Sequence, residues 1–183
     1  MLTNQASGCI RPHSVASGLH IASPSLTSTA LKKGYTMKLL IINGPNLNML
    51  GVREPGIYGQ ETYESLITRL KNHCAARGVY AEFTQSNHEG SLLDEIQRAY
   101  YEGFTGIVIN PGAYTHTSIA LLDAVKSTCL PVVEVHISDP DSREKFRHIS
   151  YIGLGCVHTI KGHGTDGYVE AIDYLIDNWG DKK

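Results

Sequence analysis

Two residues that could transfer a proton, Glu134 and His136, lie two positions apart in an apolar run of the sequence. In a β-strand, residues at this spacing project from the same face. A carboxylate at that position can hold an imidazole in one tautomer and favour its protonated form, which suits a general acid. The pair therefore indicates proton transfer. A histidine packed for purely structural reasons is the alternative.

A second reactive pair, Arg53 and Tyr58, lies in the glycine-rich stretch from Gly44 to Gln60. Free tyrosine has a pKa of about 10 and is almost wholly protonated at pH 7. A guanidinium within about 4 to 6 Å favours the phenolate, so Arg53 could make Tyr58 a usable base. The alternative is a solvated arginine and a packing tyrosine. The glycines here do not form G-x-x-x-x-G-K-[ST] or G-x-G-x-x-G, so no phosphate site is predicted.

Cations for an anionic ligand follow the histidine. Arg143 and Arg147 are spaced as on a helix and could bind a carboxylate, or could lie on an ordinary surface helix. The other candidate loops are rich in Asn, His, Tyr and Ser and contain no cluster of carboxylates. His158 and His163 have no supporting ligand set, so we expect hydrogen-bond recognition of a polar ligand and no metal site.

Apolar runs that alternate with helix-period segments must position these residues. The predicted strands are Lys38–Asn43, Val79–Ser86, Gly106–Asn110, Pro131–Ile137 and Cys156–Ile160. The predicted helices are Thr62–Arg77, one opened by Ser91 and closed by Gly103, Ser118–Ser127 and Thr165–Trp179. Strands joined by helix-sized connections predict a five-stranded parallel sheet covered on both faces, an α/β flavodoxin-like doubly wound fold in a single domain. Ligands bind such sheets beyond the carboxyl ends of the strands.

Composition limits the classes of protein that the chain can be. It has 183 residues, 42% of them hydrophobic and 19% charged, with a formal net charge of -2. A TIM barrel needs roughly 250 residues. No basic cluster is longer than Lys32-Lys33, and no apolar stretch has the roughly 18 residues of a membrane span. We therefore expect a small-molecule partner, with no nucleic acid and no membrane.

Residues 1–36 differ from the rest, with ten Ser or Thr and no acidic residue. We expect a flexible, dispensable leader there, ahead of a catalytic domain at 37–183. An organelle transit segment is the alternative. The four cysteines form no C-x-x-C pair, so we expect reduced thiols and a cytoplasmic protein.

Four blocks occur in order: GPNLNMLGVREPGIYG, QSNHEGSLLDEI, INPGAYTHTSIALLDA and VEVHISDPDSREKFRHISY. Through them the chain, from Met37 to about Trp179, resembles type II 3-dehydroquinate dehydratase, a flavodoxin-like enzyme of the shikimate pathway. The resemblance implies a lyase that converts 3-dehydroquinate to 3-dehydroshikimate by anti elimination through an enolate. That reaction is the third step of chorismate and aromatic amino acid biosynthesis.

The resemblance also implies roles for individual residues. Tyr58 would remove the proton from C2 with Arg53 lowering its pKa, and Asn46 would hold a water that stabilises the enolate. His136, oriented by Glu134, would protonate the departing C1 hydroxyl. The implied substrate-binding residues are Asn110, His116, Ile137, Ser138 and Arg147, with Arg143 as a lid cation and Asp123 reaching a neighbouring subunit's site.

The family assembles as trimers grouped into dodecamers and uses no metal or organic cofactor, which the resemblance implies here too. Two positions depart from the pattern: Asp139 stands where an Asn is common, and His148 where a second Arg sometimes occurs. They put the charge and affinity of the lid in question and leave the expected reaction unchanged.

Two alternatives belong to other classes of protein. A flavodoxin-like flavin- or phosphate-binding electron carrier would need a Ser/Thr/Gly phosphate loop where this chain has Pro45 and Asn46. A catalytically silent ligand-binding module would be expected to lose Tyr58 or His136, and both are present.

Overall fold

A computed structural model describes residues 34–52 and 61–180 of the chain. The strands are β1 (Met37–Asn43), β2 (Val79–Gln85), β3 (Gly106–Asn110), β4 (Val132–His136) and β5 (His158–Lys161). The α-helices are α1 (Tyr63–Ala76), α2 (Glu89–Tyr101), α3 (Ile119–Thr128) and α4 (Asp166–Trp179). None of these helices is both long and apolar enough to cross a membrane.

The five strands form one parallel sheet in the order β2-β1-β3-β4-β5. This is the flavodoxin-like doubly wound order, and the predicted fold class is confirmed. The register sets Asn43 beside Asn110 at the carboxyl edge, and Glu134 beside Thr159. The topology therefore brings the polar ends of distant sequence segments to one edge.

The core has two halves, one on each face of the sheet. Leu39 and Ile41 of β1 are buried in the cluster that contains side chains of α1 and α4. Leu40 and Ile42 belong to the cluster that contains side chains of α2 and α3. Because successive strand residues point to opposite faces, an unbroken apolar run is what a strand covered on both sides requires.

Most predicted element ends lie within two residues of the observed ends, but the start of α2 is wrong. This helix begins at Glu89, after His88, and Ser91 lies inside its first turn. In contrast, Ser118 caps α3 as a serine should, its Oγ accepting a hydrogen bond of 2.9 Å from the N–H of Leu121. A possible capping residue therefore marks a helix start only when the preceding backbone is not already helical.

The expectation of reduced thiols is correct for two cysteines and wrong for a third. Cys74 is buried and free, and Cys156 is half-buried and free. Cys129, at the end of α3, is exposed and disulfide-bonded. Disulfides are typical of oxidising compartments, so this residue weighs against the cytoplasmic expectation.

Candidate active site

A pocket of about 170 Å³ lies beyond the carboxyl ends of β1, β3 and β4. Its lining residues are Pro45, Asn46, Leu47, Met49, Leu50, Asn110, Gly112, Ala113, His116, His136, Ile137, Ser138, Pro140, Arg143 and Arg147. Among these described residues there is no aspartate, glutamate or lysine, whereas two are arginines. In a chain of net negative charge, this concentration of cations suits an anionic ligand.

Gly44 allows the loops after β1 and β3 to meet. Its N–H donates a hydrogen bond of 2.7 Å to the carbonyl of Asn110. A Cβ on Gly44 would lie 2.5 Å from the carbonyl oxygen of Pro111, too close for any side chain. The glycine is therefore needed for the approach of two backbones that together form one wall of the pocket.

Asn46 reaches the pocket from the turn after β1. Its φ is 66°, a left-handed conformation that asparagine tolerates better than most residues. The N–H of Asn46 donates to Oδ1 of Asn87 at 2.9 Å, and the amide of Gln85 donates to the same oxygen at 3.1 Å. The segment after β2 thus fixes the position of Asn46.

Asn110 is held from below by a buried hydrogen-bond chain. Its Nδ2 donates to the hydroxyl of Tyr168 at 3.0 Å, and that hydroxyl donates to Oδ1 of Asn43 at 2.7 Å. Its Oδ1 accepts the N–H of Gly112 at 3.2 Å. Burial raises the pKa of Tyr168, so its hydroxyl stays protonated. One N–H of the Asn110 amide is left for a ligand.

Glu134 and His136 lie on the same face of β4, as their spacing predicts. Nε2 of His136 is 3.0 Å from Oε1 of Glu134. This nitrogen is buried and has no well-aligned hydrogen-bond partner among the described residues, so the contact with Glu134 is close but imperfectly aligned. Since Nε2 is directed to the carboxylate, Nδ1 is the ring nitrogen left to act on a ligand. Ile137 and Ser138 follow directly and also line the pocket.

The carboxyl group of Glu134 is completely buried. Burial by itself raises the pKa of a carboxyl group. Here contact with His136 and hydrogen bonds from Thr115 and Ser150 oppose that effect and hold the pKa of Glu134 below its ordinary value. The site therefore contains an ionised carboxylate directly behind an imidazole, which is the arrangement a proton donor needs.

His116 is oriented by a loop that follows the arginines. Its Nδ1 lies 2.7 Å from the carbonyl oxygen of Ile149, to which it can donate. The N–H of Tyr151 donates to the carbonyl of Thr115 at 2.8 Å. With Nδ1 occupied by a backbone acceptor, Nε2 of His116 is left for a ligand.

Arg143 and Arg147 both line the pocket, but the segment between them is not an α-helix. One short 3₁₀ turn, Pro140–Ser142, ends just before Arg143, and a second, Lys145–Arg147, ends at Arg147. Glu144 lies 2.7 Å from Nε of Arg147 and 3.8 Å from Nε of Arg143. The alternative of an ordinary surface helix is thus wrong.

The two departures from the family pattern have local contacts. Oδ1 of Asp139 accepts the N–H of Asp141 at 3.0 Å and caps the first turn, a contact that an asparagine oxygen could also make. Nε2 of His148 lies 3.0 Å from the carbonyl oxygen of Arg143. Both residues shape the segment that presents Arg143 to the pocket.

Arg53 and Tyr58 lie outside the described residues. The nearest described residues on either side of them are Val52 and Glu61. Glu61 accepts hydrogen bonds of 3.1 and 3.0 Å from Arg69 of α1 and one of 2.5 Å from Thr165. Glu61 is therefore hydrogen-bonded to α1 and to the residue that precedes α4, the two helices on one face of the sheet.

Asp123 does not lie in this chain's pocket. It is exposed on α3, and no residue of α3 lines the pocket. Its position agrees with the expectation that it would act outside its own subunit, and nothing in the single chain tests that role.

The sequence did not predict the residues that hold the site residues in place by hydrogen bonds without lining the pocket. Asn87 and Gln85 follow or end β2, and the strand-end rule could have identified them. Tyr168 lies in a helix, Thr115 in the turn after β3 and Ser150 in a loop, so their sequence positions carry no signal for the contacts they make with Asn110 and Glu134. Across residues 34–52 and 61–180, no group of three or more His, Cys, Asp or Glu could hold a metal ion.

The sequence matches the family model described as Dehydroquinase class II over residues 37–176. It is 54% identical over 140 residues to the 3-dehydroquinate dehydratase of Corynebacterium glutamicum strain R, covering 76% of this chain and 96% of that protein. It is 52% identical over 143 residues to the 3-dehydroquinate dehydratase of Deinococcus radiodurans, covering 76% and 97%.

Solved structures give the same result. The type II dehydroquinase of Butyrivibrio crossotus superposes with a TM-score of 0.75 at 52% identity, over 76% of this chain and 97% of that one. The type II dehydroquinase of Propionibacterium acnes superposes with a TM-score of 0.75 at 38% identity, over 79% and 99%.

Proposed function

Since the chain belongs to the class II dehydroquinase family, we propose that the pocket beyond β1, β3 and β4 is its catalytic site. The chain is a 3-dehydroquinate dehydratase of type II, a lyase that dehydrates 3-dehydroquinate in the shikimate pathway. One observation supports this assignment of the site. His136 lines the pocket, and its Nε2 lies 3.0 Å from the buried carboxylate of Glu134. The electron carrier and the silent binding module are not favoured.

In the proposed reaction, His136 donates a proton to the C1 hydroxyl as the C–O bond breaks and water leaves. Glu134 holds the imidazole with Nε2 toward the carboxylate and Nδ1 toward the pocket, and in the imidazolium form Nδ1 carries the proton that is donated. The support is geometric, because the carboxylate is buried behind the ring and the ring borders the pocket. Glu134 is therefore proposed as a positioning residue and His136 as the general acid.

The proposed base is Tyr58, which takes the C2 proton after Arg53 favours its phenolate. Both residues come from the family pattern in GVREPGIYG. Among the described lining residues, His136 is assigned to the proton-donating step, so the base is proposed from the family pattern. Asn46 is proposed to hold the water that stabilises the enolate, because it lines the pocket on a fixed turn.

Substrate recognition is proposed to rest on charge and on hydrogen bonds from fixed groups. Arg147 and Arg143 would attract the carboxylate of the substrate, since no acidic side chain is among the described lining residues. Asn110 would donate to a ring hydroxyl, and Nε2 of His116 would accept a hydrogen bond from another, since Nδ1 of His116 faces the carbonyl of Ile149. Ile137 and Ser138 would contact the substrate directly after β4.

We propose that the working unit is a homo-oligomer, a dodecamer built from trimers, in which Asp123 acts at a neighbour's pocket. Large apolar side chains are well exposed on the described surface, including Tyr101, Leu154 and Ile119. Scattered exposed apolar side chains also occur in monomers, so the assembly of the family carries this proposal, and these side chains offer surfaces for subunit contact. Light scattering of the purified protein should give the mass of twelve chains, and a monomer would contradict the proposal.

The leader and the location of the protein are also proposals. We propose that residues 1–36 are dispensable, because the family match begins at residue 37. A chain that starts at Met37 should then keep its assembly and turnover. We propose a cytoplasmic location from the family, with the Cys129 disulfide formed only after the protein leaves the reducing cell interior. A free Cys129 after thiol blocking at cell lysis would support that location, and an intact disulfide would contradict it.

A direct assay tests the function. Incubation with 3-dehydroquinate should produce the ultraviolet absorbance of a conjugated enone. No rise in absorbance with folded protein would contradict the assignment.

Borohydride added with the substrate should leave activity intact, because no lysine lines the described pocket and Lys161 is paired with Asp141. Covalent trapping at a lysine would instead indicate an imine mechanism.

A further inference from the structure

Three hydroxyl groups surround the buried carboxylate of Glu134. The hydroxyl of Thr115 donates to Oε1, that of Ser150 lies 2.9 Å from both carboxylate oxygens, and that of Thr159 donates to Oε2 at 3.2 Å. These three residues, here called the hydroxyl cage, come from the turn after β3, the loop before residue 152 and strand β5. Distant parts of the chain thus converge on one side chain.

The cage is arranged to donate rather than to accept. Oγ of Ser150 accepts the N–H of Gly153 at 2.8 Å and lies 2.8 Å from Oγ1 of Thr115, and its own proton can be donated to the carboxylate of Glu134. A carboxylate that has left water needs such donors, since an ion buried without partners costs several kcal/mol. Hydroxyls supply them without a charge and without a proton that titrates near neutral pH.

Three titratable groups from the surrounding elements act on Glu134. His136 lies on its own strand at 3.0 Å. The Cys156 thiol, before β5, has its pKa raised by burial and by the charge of Glu134. Lys161, on β5, interacts with Glu134 over a longer distance and is paired with Asp141. Of these three groups, His136 is the one with an atom placed 3.0 Å from the carboxylate of Glu134.

We propose that Thr115 and Ser150 are positioning residues for the dehydration, because their hydroxyls hold Glu134 as a carboxylate in a fixed orientation and so leave the transferable proton on His136. The link to turnover rests on the proposed function of the pocket. The hydroxyl cage adds no covalent step. It determines which member of the buried pair carries the proton and how the imidazole faces the leaving hydroxyl.

Paired substitutions separate this role from simple packing. Thr115→Val removes one hydroxyl and keeps the shape of the side chain, whereas Thr115→Ser keeps the hydroxyl. Ser150→Ala removes the second hydroxyl. Thr128→Val is the control, because it removes a buried hydroxyl that donates only to the carbonyl of Val125 on α3, away from the pocket.

The first readout compares two steps of the reaction in deuterated water. Thr115→Val and Ser150→Ala should each lower the dehydration rate about 10-fold, the loss expected for one hydrogen bond to a charged group, with KM little changed. Exchange at C2, which depends on the base, should persist at the wild-type rate. Thr115→Ser should restore most of the dehydration, and Thr128→Val should not alter the ratio of exchange to dehydration. Equal loss of both steps, or of neither, would overturn the proposal.

The second readout does not depend on the reaction. Wild type and Thr115→Val are melted across a range of acidic and neutral pH at fixed protein concentration, with and without Glu134→Gln. Loss of the Thr115 hydroxyl should reduce the melting temperature mainly above about pH 4.5, where Glu134 is ionised, and the reduction should shrink on acidification. In the Glu134→Gln background the effect should not depend on pH. If the change in melting temperature caused by Thr115→Val does not depend on pH in either background, the hydroxyl cage does not act on the charge of Glu134. A failed dehydration assay beside a positive melting result would reject the proposed function alone.

Discussion

Nε2 of His136 lies 3.0 Å from Oε1 of Glu134, at a point where the carboxylate is fully buried and the imidazole borders the pocket. The contact joins a group that substrate can reach to one that solvent cannot. The carboxylate can therefore influence the imidazole without being screened by water. Its protonation state should be visible in the stability of the fold as well as in turnover.

Glu134→Gln should remove a pH-dependent part of the stability. The pKa of Glu134 in the folded protein is held below the ordinary value of 4.5, despite opposing burial, by His136 and two hydroxyls. A depressed folded-state pKa stabilises the fold above about pH 4.5, and this contribution is lost as the pH falls through the folded-state pKa. The difference in free energy of unfolding between wild type and Glu134→Gln should therefore shrink below about pH 4.5. A difference that stays constant down to acid unfolding would show that the residue is not ionised in the fold.

Gly153→Ala should damage the site although it adds only a methyl group. The new Cβ would lie 2.8 Å from Oε2 of Glu134 and 2.8 Å from Oγ of Ser150. We expect a stability loss of about 1 to 3 kcal/mol and a slower dehydration step, because the methyl displaces hydrogen-bonded groups. The control is Gly90→Ala, in the first turn of α2, where a Cβ meets nothing within 4 Å. Equal stability of the two variants in urea unfolding would contradict this account of the packing.

Arg147→Ala should weaken substrate binding more than it affects the fold. Its pairing with Glu144 is on the surface and contributes about 0 to 1 kcal/mol. A charge-assisted hydrogen bond to a substrate carboxylate is worth more, so KM should rise about 10-fold to 100-fold with a nearly unchanged melting temperature. Arg77→Ala is the matched control, since Arg77 pairs with Asp173 and Asp177 away from the pocket. An unchanged KM for Arg147→Ala would remove this residue from the binding set.

Tyr168→Phe tests the hydrogen-bond chain below Asn110. The variant leaves Oδ1 of Asn43 and Nδ2 of Asn110 without their shared buried partner. We expect a loss of about 1 to 3 kcal/mol in stability and a raised KM, since the Asn110 amide is then free to rotate. Tyr174→Phe on the same helix is the control and should leave KM unchanged, because Tyr174 packs on His158 outside the pocket. Similar KM values for the two variants would show that Tyr168 only fills space.

The fold was predictable because strand and helix periods are local properties of the sequence. The run Met37–Asn43 is apolar on both faces, and only a strand covered on both sides uses such a run. The Glu134–His136 pair was predictable for the same reason, as alternation along a strand fixes which side chains are neighbours. The start of α2 was not predictable in this way. Ser91 is a good capping residue, but the helix already begins at Glu89, so Ser91 does not act as its cap.

The supporting residues were harder to predict because their contacts are long-range. Thr115, Ser150 and Thr159 resemble ordinary polar loop and strand residues until the fold brings them to Glu134. Tyr168 is 125 positions from Asn43, its hydrogen-bond acceptor. The spacing of Arg143 and Arg147 also suggested a helix, whereas the chain forms two 3₁₀ turns, the first of which is capped by the side chain of Asp139.

The most direct test of the central claim is the ratio of C2 exchange to dehydration in His136→Ala. Substrate is incubated with the variant in deuterated water, and mass spectrometry measures deuterium in the remaining substrate while absorbance measures product. If His136 donates the proton to the departing hydroxyl, product formation should fall about 100-fold to 10,000-fold while exchange at C2 remains measurable. Tyr58→Phe should lose both exchange at C2 and product formation. Dehydration by His136→Ala at a near wild-type rate, or loss of exchange as complete as the loss of dehydration, would contradict the assignment of His136 as the proton donor.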